Sequence, residues 1–128
     1  DLCAAPRPEI DHRLDHVEQF LEHRHGVADA KERERQVLSR SIEMLEAARD
    51  VGGYSREAID ALFYTRRIWI RFIEDLKQPE NQLDVELRAN LISIAIWILK
   101  ECDRIRRREC QNFQGIIDIT TIIRDGLK

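Results

Sequence analysis

Aromatic residues make up only 6% of this 128-residue chain, and glycine and proline contribute just five and three residues. A β-sandwich or barrel needs such residues at regularly spaced turns and strands, so helices are the better expectation. An excess of charge of one sign is also missing. With 21 basic residues against 24 acidic ones, a formal charge of −3, no long-range field concentrates nucleic acid or an anionic membrane around the chain. Long hydrophobic runs are absent as well. The longest, Leu91 to Leu99, is about half of what a membrane crossing needs and is flanked by Arg88 and Lys100, which makes it a core segment. The opening Asp1-Leu-Cys-Ala-Ala-Pro-Arg-Pro has no basic start followed by an apolar stretch, so no signal peptide is expected, and the missing initiator Met suggests a trimmed start. Cysteine is scarce and odd in number: Cys3, Cys102 and Cys110. On a helix the last two stand about 12 Å apart in rise, beyond disulfide reach, so reduced thiols and a cytoplasmic protein are expected.

What the chain does contain is 43% hydrophobic residues, enough for one domain with a genuine core. Ile10, Leu14, Val17 and Leu21, beside Phe20, make a narrow helical stripe that ends near Gly26. Asp29 is placed to cap a second helix, in which Leu38, Ile42, Leu45 and Ala48 recur at three and four residues until Gly52-Gly53 stops it. Ser55 suits the N-cap of a third helix, along which Ile59, Leu62, Phe63, Trp69, Ile70, Ile73 and Leu76 share one side. Lys77-Gln-Pro-Glu-Asn-Gln is a turn. From about Val85 to Glu109 runs a segment whose middle, Leu91 to Leu99, is apolar almost all round and reads as central and buried. Ile92, Ile94, Ile96 and Ile98 also alternate as a strand would, and so do Ile117, Ile119, Thr121 and Ile123. Helix is preferred, because the flanks are helix formers and a lone two-stranded pair is only marginally stable. The last segment equally fits a helical stripe of Phe113, Ile116, Ile117, Thr120, Ile123 and Leu127. The expected fold is therefore all-α, a single-domain bundle of four to five helices, with a mixed α+β form as runner-up. No repeat or linker divides residues 29–128.

Residues able to carry chemistry are few in pattern. His12 and His16 could share a helix face as metal ligands do, with His23 and His25 close behind, but no Glu follows the first His and no third ligand stands at a recognisable spacing. They read as surface histidines. Cys102 and Cys110 have no His near them in sequence and read as bystander thiols. Carboxylates such as Glu74, Asp75 and Asp118 lie in charge-mixed helical text, and no glycine loop could cradle a phosphate. Neither an enzyme's constellation nor a cofactor is expected. The basic run Arg104-Ile-Arg106-Arg107-Arg108, with Arg66 and Arg67, is the one feature an RNA-binding reading can use. Against it, cations favour helix C-termini, Glu101, Asp103 and Glu109 partly neutralise the run, and no aromatic is interleaved for base stacking.

From the third helix onward, the text Trp69, Ile73-Glu-Asp-Leu, Pro79-Glu-Asn, Leu83, Leu87-Arg-Ala, Leu91-Ile-Ser-Ile and Trp97 is followed by Asn112-Phe113, Gly115, Ile117-Asp-Ile and Ile123-Arg-Asp-Gly-Leu. In this order the residues resemble the FlaF family of flagellar biosynthesis regulators of alphaproteobacteria, over roughly residues 28–128. Two departures are mild: Asp84 stands where the family has Pro after Leu83, and Ala95 where it has Gly. Residues 1–27 do not share the likeness and are expected to be an N-terminal extension, carrying at most a short helix, or a vector remnant. The resemblance implies a non-enzymatic cytoplasmic protein that binds flagellin as a secretion chaperone would, supports or tunes its synthesis and export, and acts with FlbT. Flagellin's terminal segments are amphipathic and disordered before export, and a helical protein with spare apolar surface can cover them. Trp69, Arg66, Phe113 and Trp97 are the residues expected to hold such a partner, the tryptophans serving as anchors if exposed. The alternative is an RNA-binding regulator touching flagellin messenger through Arg104, Arg106, Arg107 and Arg108.

Overall fold

Two consecutive glycines with positive φ, Gly52 at 78° and Gly53 at 66°, end the first long helix, and the hydroxyl of Ser55 opens the next by accepting a hydrogen bond from the Ala58 N–H at 3.1 Å. Both signals were legible in the text. The structure is a computed structural model that describes residues 11, 13, 15, 28–79 and 83–126. Four long helices lie among them: α1 (Ala28–Val51), α2 (Arg56–Lys77), α3 (Val85–Arg106) and α4 (Phe113–Gly126). No strand occurs among the described residues, so the fold is all-α, four packed helices around one core. α1 begins at Ala28, which places Asp29 inside its first turn rather than at the cap. Ile10, Leu14, Val17, Phe20, Leu21, Cys3 and the four histidines lie outside the described residues.

Among the described helices α1 packs on α2 and α4, α2 on α3, and α3 only lightly on α4. Short connections make consecutive helices antiparallel. Ser41 and Thr65 mark the α1–α2 contact with a buried hydroxyl pair at 2.7 Å, and Arg88 marks the α2–α3 contact by donating from Nε to the Leu76 carbonyl at 2.8 Å. That second bond satisfies one of the carbonyls left open at the C-terminus of α2.

The apolar stretch Leu91 to Leu99 is helical throughout, so the alternation of isoleucines is not a strand signal. The expectation that it is hidden all round needs correcting. Ile94, Ala95 and Ile98 are buried, Leu91, Ile92, Trp97 and Leu99 are half-buried, and Ile96 is exposed. Among the four described helices α3 leans chiefly on α2, which covers one arc of an all-apolar cylinder and not its whole circumference.

α2 brings a second correction. Its buried face is Ala58, Ala61, Leu62, Thr65, Ile68, Trp69 and Leu76, whereas Ile59, Phe63 and Ile70 point away from the core. The helix carries two competing apolar lines, and the one with small residues wins because alanines let the neighbouring backbone approach and leave fewer voids.

Helix ends explain two further residues. Asn112 caps α4, its Oδ1 accepting from the Gly115 N–H at 3.1 Å, and a Cβ at position 115 would fall 2.5 Å from Asn112 Nδ2. Glycine here makes room for the cap. Asn112→Ala is expected to cost about 1 kcal/mol. Gly115→Ala should change stability little in the native chain, where about 1 kcal/mol of helix propensity is offset by a lost cap. In the Asn112→Ala background it should stabilise, and urea midpoints of the four chains read this non-additivity.

Arg108 ends α3 in the left-handed region at φ 64°, with its N–H on the Ile105 carbonyl at 3.0 Å and the Glu109 N–H on the Arg104 carbonyl at 2.9 Å. This is the Schellman arrangement, usually built on glycine. Its guanidinium lies 4.9 Å from the centroid of the Tyr54 ring, a contact that offsets part of the strain. Thermal melts should place Arg108→Gly above Arg108→Ala by about 1 kcal/mol, since only glycine releases the backbone. Equal stabilities would show that the backbone there is unstrained.

One acid sits inside the core. Glu101 is 1% exposed, its Oε1 accepts from Arg104 Nη1 at 3.3 Å, and its Oε2 has no partner among the described residues. A buried carboxylate with one bare oxygen is poorly compensated, and Arg104 is a third exposed and keeps its water if the acid goes. Glu101→Leu is therefore expected to raise the urea midpoint, by about 1 kcal/mol or more of stability, with the slope unchanged. A lower midpoint would show that the ion pair outweighs the desolvation.

Candidate functional site

The outer arc of α2 is built by the same choice that buried its other face. Ile59, Phe63 and Ile70 fall within about 40° of arc at roughly 100° per residue, and the packing of Ala58, Ala61 and Trp69 inward turns that line outward. Ile59 is 65% and Phe63 64% exposed. Arg67 folds over Phe63 with its guanidinium carbon 5.7 Å from the ring centroid. Arg66, on the other flank of the line, pairs with Asp103 of α3. Asp103 stands seven residues after the exposed Ile96, about two turns along the same line of α3, so the ion pair sets the two outward lines side by side. An uncovered strip, apolar along its axis and basic at its edges, results.

The other candidate residues divide between core and helix ends. Trp69 is 2% exposed and meets Phe72 edge-to-face at 5.3 Å, and Phe113 is 2% exposed at the start of α4. Both rings are spent on the core, so the condition for Trp69 to act as a surface anchor is not met. Trp97 is half-buried on α3, with its Nε1 buried and without a hydrogen-bond partner among the described residues. Arg66 alone of this group reaches the strip, at its edge. In the basic run, Arg104 pairs with Glu101, Arg106 with Asp103 at 3.3 Å, Arg107 is the C-cap of α3 and Arg108 covers Tyr54. Three of the four arginines are thus folded back onto the protein's own carboxylates and a ring, and Arg107 is exposed. Phe63 and Ile59 are the residues that sequence reasoning assigned to the core. The neighbouring alanines at 58 and 61 were the available signal that the buried face lay elsewhere.

Burial pushes the Cys102 thiol up to about 12, outweighing the Arg66 charge nearby, so at neutral pH it keeps its proton and is a poor nucleophile. Cys110 is also buried, and no disulfide joins the two. No group of three His, Cys, Asp or Glu residues among those described could hold a metal. An open depression of about 320 Å³ on α1, lined by Glu32, Arg35, Gln36, Ser39, Arg40 and Glu43, is walled by a single helix. Its charges pair locally, Arg35 with Glu32 at 3.2 Å and Arg40 with Glu43 at 3.7 Å.

Four packed helices with an exposed apolar strip on the outside define an all-α bundle. No helix among the described residues is long and apolar enough to cross a membrane. The chain belongs to the FlaF family: the family model described as flagellar protein FlaF matches residues 17–127. It is a family of flagellum biogenesis that is not known for enzymes. The match starts upstream of residue 28 and so takes in part of the N-terminal segment. Neither a curated protein nor a solved structure matches the chain.

Proposed function

We propose that this FlaF-family chain binds flagellin in the cytoplasm and supports or tunes its synthesis and export together with FlbT, with residues 28–128 as the binding unit and the outer arc of α2 as its face. The observation that supports the reading is the exposed line Ile59, Phe63 and Ile70. Apolar side chains aligned on a regular helix are costly to leave in water, and an amphipathic segment laid along them removes that area from solvent on both sides. A flagellin terminus that is unstructured before export has such a segment to give.

The purified chain should co-elute with flagellin at physiological salt, and mixtures with FlbT and with flagellin messenger should be run beside it. Retention of messenger alone, lost on Arg106→Ala with Arg107→Ala and falling steeply with salt, would replace this reading by the RNA one. The ion pairs of Arg104 and Arg106 weigh against that outcome, since those cations already have counter-charges within the protein.

A further inference from the structure

Most of the charge bordering the α2 strip is of one sign. Arg67 stacks on Phe63, Arg66 flanks it, and Arg56, with its side chain 90% exposed, and Lys77 stand towards the two ends. The carboxylates on this arc are Glu74 near the C-terminal end, Asp60 at the edge, 3.9 Å from Arg56, and Asp103 of α3, which pairs with Arg66. Arg56 and Arg66 are thus matched by carboxylates, and Arg67 is the cation beside Phe63 that is not, in a chain that carries −3 as a whole. Arg67 is held by a ring rather than by an acid, which leaves its fork of N–H donors open to a carboxylate.

From this complementarity we infer that the strip receives an amphipathic helix with apolar residues at i, i+4 and i+11 and carboxylates beside them, Arg67 being the side chain that accepts acid and rejects base. The inference rests on α2 being the partner face and adds the chemistry that the face selects. A helix lying along α2 sets its apolar line on Ile59, Phe63 and Ile70 and brings its flanking positions level with Arg67. A carboxylate there meets a guanidinium whose other side is already shielded by Phe63, so the pair is less screened than an open surface one. A lysine there meets like charge. A second copy of this chain is a poor occupant, because two such strips stacked antiparallel bring the Arg67 guanidinium groups of both copies close together near the centre, with no carboxylate between them.

The test uses the full chain and three labelled helical peptides of about 18 residues with identical leucine positions, carrying Glu, Gln or Lys at the flanking sites. Fluorescence anisotropy should rank them Glu, Gln, Lys, with about tenfold separating the extremes at low salt and less at physiological salt. Arg67→Glu should erase or invert the ranking, and Phe63→Glu should abolish binding of all three while the melting temperature stays in place. Equal affinities, no binding of any peptide, or indifference to Phe63→Glu would overturn the inference. A doubled mass in light scattering that Phe63→Glu halves would overturn it too, by giving the strip to a second copy. Failure of flagellin to co-elute leaves the peptide ranking untouched, whereas indifference to the peptides removes the charge rule with flagellin binding intact.

Discussion

Trp69→Ala lowers the unfolding free energy by about 3–5 kcal/mol, the range for deleting a large buried aromatic side chain. Trp69 is among the largest fully buried side chains and packs between α2 and its neighbours beside Phe72, so its removal leaves a void that rigid helices fill only in part. For a domain whose total stability is of the order of 5–15 kcal/mol, that is a large share. At about 4–8 °C per kcal/mol for a domain near 100 residues, the melting temperature should fall by more than roughly 12 °C. Urea titration followed by circular dichroism reads the same quantity, and a change below about 1 kcal/mol would mean that the ring is not a core element.

Phe63→Glu has the opposite signature. Its side chain is 64% exposed, so stability should move by no more than about 0.5 kcal/mol, glutamate being also a good helix former. Binding of flagellin should fall by about thirtyfold or more, the loss of one aromatic anchor of 2 kcal/mol or above. Surface plasmon resonance or a concentration series in co-elution would measure it. Retained affinity would move the binding face off α2. Together the two variants separate an aromatic that holds the bundle from one that meets a partner: Trp69→Ala loses binding only as the chain unfolds, and Phe63→Glu loses it while folded.

The aromatics show how far residue order carries. Leu38, Ile42, Leu45 and Ala48 of α1 were read as a buried line and are one, because α1 has a single apolar arc and no rival to it. α2 has two, and counting large hydrophobic residues picks the wrong one at Ile59, Phe63 and Ile70. Asn112 and Gly115 were visible only as family text, although their physical roles, a cap and the space beneath it, are local. The left-handed backbone of Arg108 was not legible at all, since nothing in an arginine announces positive φ. The same holds for the basic run, whose meaning changed once Glu101 and Asp103 were seen to hold Arg104 and Arg106.

Residue order was enough for the four described helices, the turn at Gly52-Gly53, the Ser55 cap and the family, because these depend on neighbours a few positions away and on text that can be compared. Which side of α2 faces water, how much of α3 stays uncovered and which arginines keep a free charge depended on packing. Those outcomes are set by competition among helices for a limited buried area, with small residues such as Ala58 and Ala61 deciding how closely two backbones approach.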